Sequence, residues 1–223
     1  MTAPRKVITE TTRLASVPYV PEIRLQQAED PFTVWEQLEG STAGTELPPP
    51  FWAFAWAGGQ ALARYLLDHP DLVAGQRVLD MASGSGLVAI AAARCGARPV
   101  LAVDVDELAV KAISVNAAAN GARVRPVQAD LLDGDADGAA VVLCADAFYE
   151  EDLAARMLPF LHRARAGGAR VFVGDPGRAF LRTAGFEPLA TYEIPVTIAL
   201  EGMTSKRATV YEITGPAGQT QAG

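Results

Sequence analysis

The chain has 223 residues, half of them apolar and a fifth charged, with a formal charge of −7. This length suits one α/β domain with a full core, and the composition excludes general disorder. The negative balance offers no row of cations to neutralise phosphates, and no apolar run is long enough for a membrane helix, so the expected partner is a basic protein or a small molecule, with no nucleic acid and no membrane.

Residues 1–45 read as an arm or lid, residues 46–214 as the main domain and residues 215–223 as a disordered tail. The amino end, MTAPRKVITETTRL, lacks the apolar stretch of a signal peptide, so a bacterial cytoplasmic protein is expected ahead of a mitochondrial one. Val17-Pro-Tyr-Val-Pro21 should be extended, because each proline turns its predecessor away from helix, and Ile23 to Leu25 suits a short strand. Asp30-Pro31 is placed to cap a helix over Phe32 to Leu38, and Gly40 to Gly44 reads as a mobile loop. Phe51, Trp52, Phe54 and Trp56 then crowd four rings into six residues. They are either a core plug for the sheet edge or the wall of a ligand crevice. Gly58-Gly59 opens a predicted helix over Gln60 to Leu67, with Ala61, Leu62, Tyr65 and Leu66 as its buried stripe, ended by His69-Pro70. His69, like His162 further on, has no evident partner and reads as an exposed bystander.

From Arg77 to Gly96 the pattern is strand, glycine-rich turn, helix. Asp80 stands near the carboxyl end of the strand, Gly84 and Gly86 permit a tight turn, and Leu87, Ile90 and Ala91 recur at helical spacing. Backbone N–H groups in such a turn, with the positive end of the helix behind them, point at whatever fills the crevice. The spacing Asp80-x-Ala82-x-Gly84-x-Gly86 differs from the G-x-G-x-x-G of a nicotinamide or flavin site, and a carboxylate in the turn would repel pyrophosphate. S-adenosylmethionine, which carries an ammonium and a sulfonium but no phosphate, fits. The next strand, Val100 to Val103, ends in Asp104, placed for the ribose hydroxyls; a third, Val124 to Gln128, ends in Asp130, placed for the adenine amino group. Trp56, Asp80, Ala82, Ser83, Gly84, Gly86, Asp104, Val105, Asp130 and Leu131 form the expected cofactor set. The competing reading of the three acids is as turn and N-cap carboxylates.

Asp106 caps a predicted helix that runs to Asn120-Gly121, and Ala139 to Ala145 is apolar enough for a central parallel strand. A helix over Leu153 to Arg165, a strand over Arg170 to Gly174 and a short helix over Phe180 to Ala184 follow. The segments Phe186 to Leu200 and Lys206 to Ile213 flank a turn at Glu201-Gly202 and read as a hairpin. Cys95 and Cys144 lack metal-ligand spacing and read as core filler, and no metal site is expected. The fourth strand ends in Asp146-Ala-Phe-Tyr149, facing the same crevice as the glycine turn. Methyl transfer to an amine needs a lone pair, close approach and exclusion of water. Asp146 is therefore expected to capture and orient the amine, with Phe148 and Tyr149 flanking its alkyl stem. The competing reading makes Asp146 a helix N-cap and the two rings core. Enzymes that methylate base amines carry prolines at this strand end, which Ala147 does not match.

The Asp80-to-Gly86 turn, Asp104, Asp130 and the closing hairpin resemble the seven-β-strand S-adenosylmethionine-dependent methyltransferases. The stretch Phe51 to Gln60, Asp146-Ala-Phe-Tyr149-Glu-Glu-Asp-Leu153 and Gly174-Asp-Pro-Gly-Arg178 are similar to the lysine methyltransferases of the electron transfer flavoprotein β subunit, and Pro21-Glu-Ile-Arg-Leu25 resembles their amino-terminal arm. The resemblance implies a seven-stranded, mostly parallel, Rossmann-like sheet with an antiparallel carboxyl-terminal hairpin and helices on both faces. It also implies protein-lysine N-methylation of that subunit, with Asp146, Phe148 and Tyr149 at the substrate lysine. Ala82 stands where the general motif has glycine. A related branch methylates a ribosomal protein, and small-molecule methylation or non-catalytic binding of S-adenosylmethionine are the other readings.

Overall fold

The computed structural model describes residues 3–30, 34, 49–136 and 138–215. Among these, the helices are α1 (Ala3–Thr11), α2 (Ala57–Asp68), α3 (Leu87–Arg94), α4 (Glu107–Ala119), α5 (Glu151–Ala166) and the single turn α6 (Ile198–Glu201). The strands are β1 (Arg13–Val17), β2 (Val20–Gln27), β3 (Val78–Met81), β4 (Val100–Asp104), β5 (Arg125–Gln128), β6 (Val141–Ala145), β7 (Arg170–Asp175), β8 (Phe186–Pro195) and β9 (Ser205–Ile213).

Seven strands form one sheet in the order β5-β4-β3-β6-β7-β9-β8. The pairs from β5 to β7 are parallel, and β9 runs antiparallel to both β7 and β8. The centre is buried on both faces, as its unbroken apolar runs require. Alternate residues serve opposite layers. Val78, Val100, Val141, Leu143 and Phe172 pack with α2 and α3. Leu79, Val103, Val142, Cys144 and Val171 pack with Met157, Phe160 and Leu161 of α5. Strand order reverses beside β3, which opens a crevice at the carboxyl ends of β3, β4 and β6.

Several local expectations are corrected. Helix α2 begins at Ala57, so Gly58 and Gly59 lie inside its first turn rather than ahead of it. No helix forms over Phe180 to Ala184: the Phe180 N–H donates to the Phe148 carbonyl (3.2 Å) and that of Leu181 to the Arg178 carbonyl (3.2 Å), which holds the segment as a turn against the strand ends. His162 is half-buried with its ring 6.1 Å from that of Phe186, and burial lowers its pKa, so it is not an exposed bystander. His69 is exposed.

The first residues are more ordered than an extended arm. β1 and β2 form a hairpin that turns at Pro18-Tyr19, inside the stretch expected to run straight. The open edge of β2 is satisfied by asparagines spaced one helical turn apart, one on α4 and one at its C-cap. Asn116 Oδ1 accepts from Gln26 N–H (2.8 Å), and Asn120 exchanges two hydrogen bonds with the backbone of Arg24 (3.0 and 2.6 Å). Asn116 Nδ2 donates to the Ser85 carbonyl (2.8 Å), which ties the hairpin to the glycine turn. The helix expected over Phe32 to Leu38 (apart from the buried Val34), the loop from Gly40 to Gly44 and the tail beyond Gly215 lie outside the described residues.

Candidate active site

Where β3 ends, the backbone enters the left-handed region at Ala82 (φ 50°), Gly84 (φ 55°) and Gly86 (φ 81°). An L-residue in that region costs roughly 1–2 kcal/mol, which gives the physical reason glycine is usual at the position of Ala82. Asp80, 1% exposed, fastens the turn: its Oδ2 accepts from the Ser83 hydroxyl (2.6 Å) and from Ala89 N–H in the first turn of α3 (3.1 Å). Burial pushes its pKa up to about 7. Gly84 faces open space on the side where a Cβ would stand, so the backbone there is bare to the crevice. Gly86 is not among the residues that line the crevice; its φ of 81° favours glycine, and a Cβ there would come within 3.2 Å of Ile113 on α4.

Asp104 closes the other side of the turn. Its Oδ2 accepts from Gly84 N–H (2.8 Å) and its Oδ1 from Asp106 N–H (3.0 Å), and burial raises its pKa. Asp106 caps α4 through Leu108 N–H (2.8 Å). Asp130 accepts from Leu132 N–H (3.1 Å) and Arg156 (2.8 Å), and the guanidinium holds its pKa low. Val105 and Leu131 complete this wall, with Val105 65% exposed at the mouth.

The opposite wall is aromatic. Phe51 lies 5.9 Å from Trp56 and 5.0 Å from Tyr149, Phe54 lies 5.9 Å from Trp56, and the Trp56 indole donates to the Phe51 carbonyl (2.8 Å). All four rings line the crevice, and Trp52, 1% exposed, backs them. Asp146 directly follows β6 with φ 54°, a conformation that aspartate tolerates better than most residues. The bend sends its carboxylate toward α2, where Oδ2 accepts from Gly59 N–H (2.8 Å). Tyr149, 37% exposed, stands at the mouth, and burial of its phenol raises its pKa to about 12.

Phe148 does not join them. It is fully buried among the residues that pack α5 against the sheet and is not among the residues that line the crevice. Four residues outside the expected set converge here instead. Arg178 donates from Nη2 to Asp146 Oδ1 (2.9 Å) and Glu201 Oε1 (3.1 Å), and its Cζ lies 5.4 Å from the Trp56 ring. Lys206 Nζ donates to Glu201 Oε2 (2.5 Å). Asp175, 1% exposed, accepts from Gly177 and Arg178 N–H groups on Oδ1 (2.7 Å each), and burial pushes its pKa up to about 6. The Gly174-to-Arg178 segment was the sequence signal; Glu201 looked like no more than a hairpin turn.

The crevice has a volume of about 480 Å³ and is lined by Asp80, Gly84, Asp104, Asp130, Asp146 and the aromatic wall. This lining suits S-adenosylmethionine. Carboxylates at successive strand ends match an ammonium and ribose hydroxyls, and the apolar remainder matches an adenine ring and a sulfonium methyl.

A family model described as ribosomal protein L11 methyltransferase (PrmA) matches residues 61–147. Magnesium protoporphyrin IX methyltransferase from Synechocystis, crystallised with bound SAM, superposes with a TM-score of 0.52 at 18% identity, covering 81% of this chain and 91% of that one. The electron transfer flavoprotein β subunit lysine methyltransferase of Xenopus laevis is 39% identical over 202 residues, covering 86% of this chain and 80% of its own length. That of Danio rerio is 35% identical over 207 residues, covering 89% and 79%. At these identities and coverages the chain belongs to the family of electron transfer flavoprotein β subunit lysine methyltransferases.

Proposed function

We propose that the protein is an S-adenosylmethionine-dependent protein-lysine N-methyltransferase acting on the β subunit of electron transfer flavoprotein. The observation that carries this is that Asp146 and Tyr149 stand in the same crevice as the Asp80-to-Gly84 cradle and Asp104. When bound, S-adenosylmethionine supplies an electrophilic methyl group on a cationic sulfur. Asp104 and Asp130 would hold its ribose and base, with Val105 and Leu131 against the ring. Phe51, Phe54 and Trp56 exclude water, which leaves an amine nitrogen poorly solvated and closer to its reactive neutral form. Asp146 orients that amine, and the Tyr149 hydroxyl, neutral at physiological pH, offers it a hydrogen bond. Six carboxylates and one guanidinium line the crevice, a balance that favours a basic protein segment over a nucleic-acid backbone.

Intact-mass spectrometry of the flavoprotein after incubation with this protein and S-adenosylmethionine tests the reading. Gains in steps of one methylene mass are expected on the β subunit, and Asp146→Ala should lower the rate by about a hundredfold or more. No gain with the wild type would sink the flavoprotein as substrate. The family-model match favours a ribosomal protein as the second reading, and the same assay on purified ribosomal protein separates the two.

A further inference from the structure

A lone carboxylate beside an incoming lysine stabilises the ammonium, the form without a lone pair. Asp146 is not alone. Arg178 reaches its Oδ1 from Nη2 (2.9 Å) and Nε (3.3 Å), while Gly59 N–H occupies Oδ2 (2.8 Å). The two side chains are 17% and 8% exposed, so water screens the pair little. Charged and titratable groups face the pair from the elements around it: Asp175 at the end of β7, Glu201 on α6 with Lys206 on β9, Cys144 on β6, and Tyr149 after β6, beside which Glu150 stands. Asp104, at the end of β4, acts on Tyr149 from across the crevice. Glu201 draws on Arg178 as well, but it has Lys206 as a second cation, which leaves Arg178 free to serve Asp146.

We propose that Arg178 neutralises Asp146 within this dry cluster, so that a substrate lysine entering the crevice gives up its proton and is oriented as a neutral amine instead of being trapped as an ammonium. The inference rests on the reading of the crevice as a lysine methyltransferase site. The bond broken is an N–H bond of the substrate, its electron pair stays on nitrogen, and the proton leaves to solvent at the open mouth. Arg178 is thus a positioning residue that acts through Asp146. Without it, the bare carboxylate holds the ammonium, whose pKa is already about 10.4 in water.

Two measurements on the full chain test this. The first is calorimetry of flavoprotein binding in the presence of S-adenosylhomocysteine, in buffers of different ionisation enthalpy, which counts protons released. At about pH 8 the wild type should release close to one proton per lysine bound, and Arg178→Gln clearly fewer. The second is the pH profile of kcat, which reports ionisations in the bound complex and whose acid limb should move up by about one pH unit in Arg178→Gln, a tenfold loss near neutrality that is recovered in alkali. Arg178→Lys, which keeps the charge, should hold the limb in place. The pair Asp146→Asn with Arg178→Gln leaves no unpaired buried acid at this position, so it remains informative if the single variant does not fold, and its limb should return toward that of the wild type. A loss equal at every pH with proton release unchanged would overturn the proposal. So would a lower KM with an unshifted limb, which would make Arg178 a mere competitor for the cation site. Absence of methylation by the wild type would instead overturn the reading of the site.

Discussion

Gly58 and Gly174 meet backbone to backbone where α2 crosses the end of β7. A Cβ on Gly58 would lie 2.3 Å from the Gly174 carbonyl oxygen and 2.7 Å from Asp146 Oδ2, and one on Gly174 would lie 2.3 Å from the Gly58 carbonyl oxygen. This approach lets the next residue, Gly59, present its N–H to Asp146.

Gly58→Ala should therefore do more than a surface substitution in a helix. The obstacle is backbone, which cannot rotate away, so a loss of about 3 kcal/mol or more is expected in chemical denaturation, together with displacement of Asp146. A variant as stable as the wild type, with full activity, would show that α2 can move away from β7 at no cost.

Asp80 has a pH signature. Its folded pKa of about 7 lies above the unfolded carboxylate value, so the stability linked to its protonation is fully present below about pH 4 and is lost as pH rises through 7. Asp80→Asn cannot ionise and escapes that loss, while its amide oxygen can still accept from Ser83 and Ala89. The stability of the wild type minus that of Asp80→Asn should fall between about pH 4 and 7 by an amount on the order of a few kcal/mol, read from denaturation curves across that range. A flat difference would place the proton elsewhere.

Asp104 holds the glycine turn through Gly84 N–H and remains open toward the crevice. Asp104→Ala should weaken binding of S-adenosylhomocysteine by tenfold or more in calorimetry, since two ribose hydroxyls lose a charged acceptor worth about 1.5–3 kcal/mol. An unchanged Kd would remove Asp104 from the cofactor site.

Tyr149 titrates at about 12, too high to serve as a base at neutral pH. Tyr149→Phe keeps the ring contact with Phe51 and removes only the hydroxyl, so kcat should fall by about tenfold with the pH profile below 10 unchanged in shape. Loss of an ionisation from that profile would assign the phenol a proton-transfer role instead.

Ala82 takes a backbone conformation that glycine adopts freely. Ala82→Gly should leave the midpoint of thermal unfolding level or slightly raised, because relief of about 1 kcal/mol of strain offsets the entropy glycine gains in the unfolded chain. Ala82→Val should lower both stability and cofactor affinity.

Much of the frame was legible along the chain because its cues are local. Apolar runs at strand period, helix caps such as Asp106 and glycines after a strand report on backbone geometry within a few residues, and they located β3, α3, β4, α4, β6 and β7. The three acids at successive strand ends could be named for the same reason: in a parallel sheet every strand end faces the same crevice.

What only the tertiary structure decided is where side chains from distant segments point and what they meet. Phe148 sits one residue before Tyr149 and looks equivalent in sequence, yet it turns into the core while Tyr149 reaches the mouth. Gly86 combines a left-handed backbone with a close approach to Ile113 on another helix, and the β2 edge is satisfied by Asn116 and Asn120, about ninety residues away. Gly59, Asp146, Arg178, Glu201 and Lys206 come from five separate elements or turns, and the sheet order that places β7 beside β6 and β9 beside β7 is what gathers them. Local periodicity determines the elements because each reports on its own backbone; the charge balance at Asp146 is set by contacts between chain segments far apart, which no local pattern encodes.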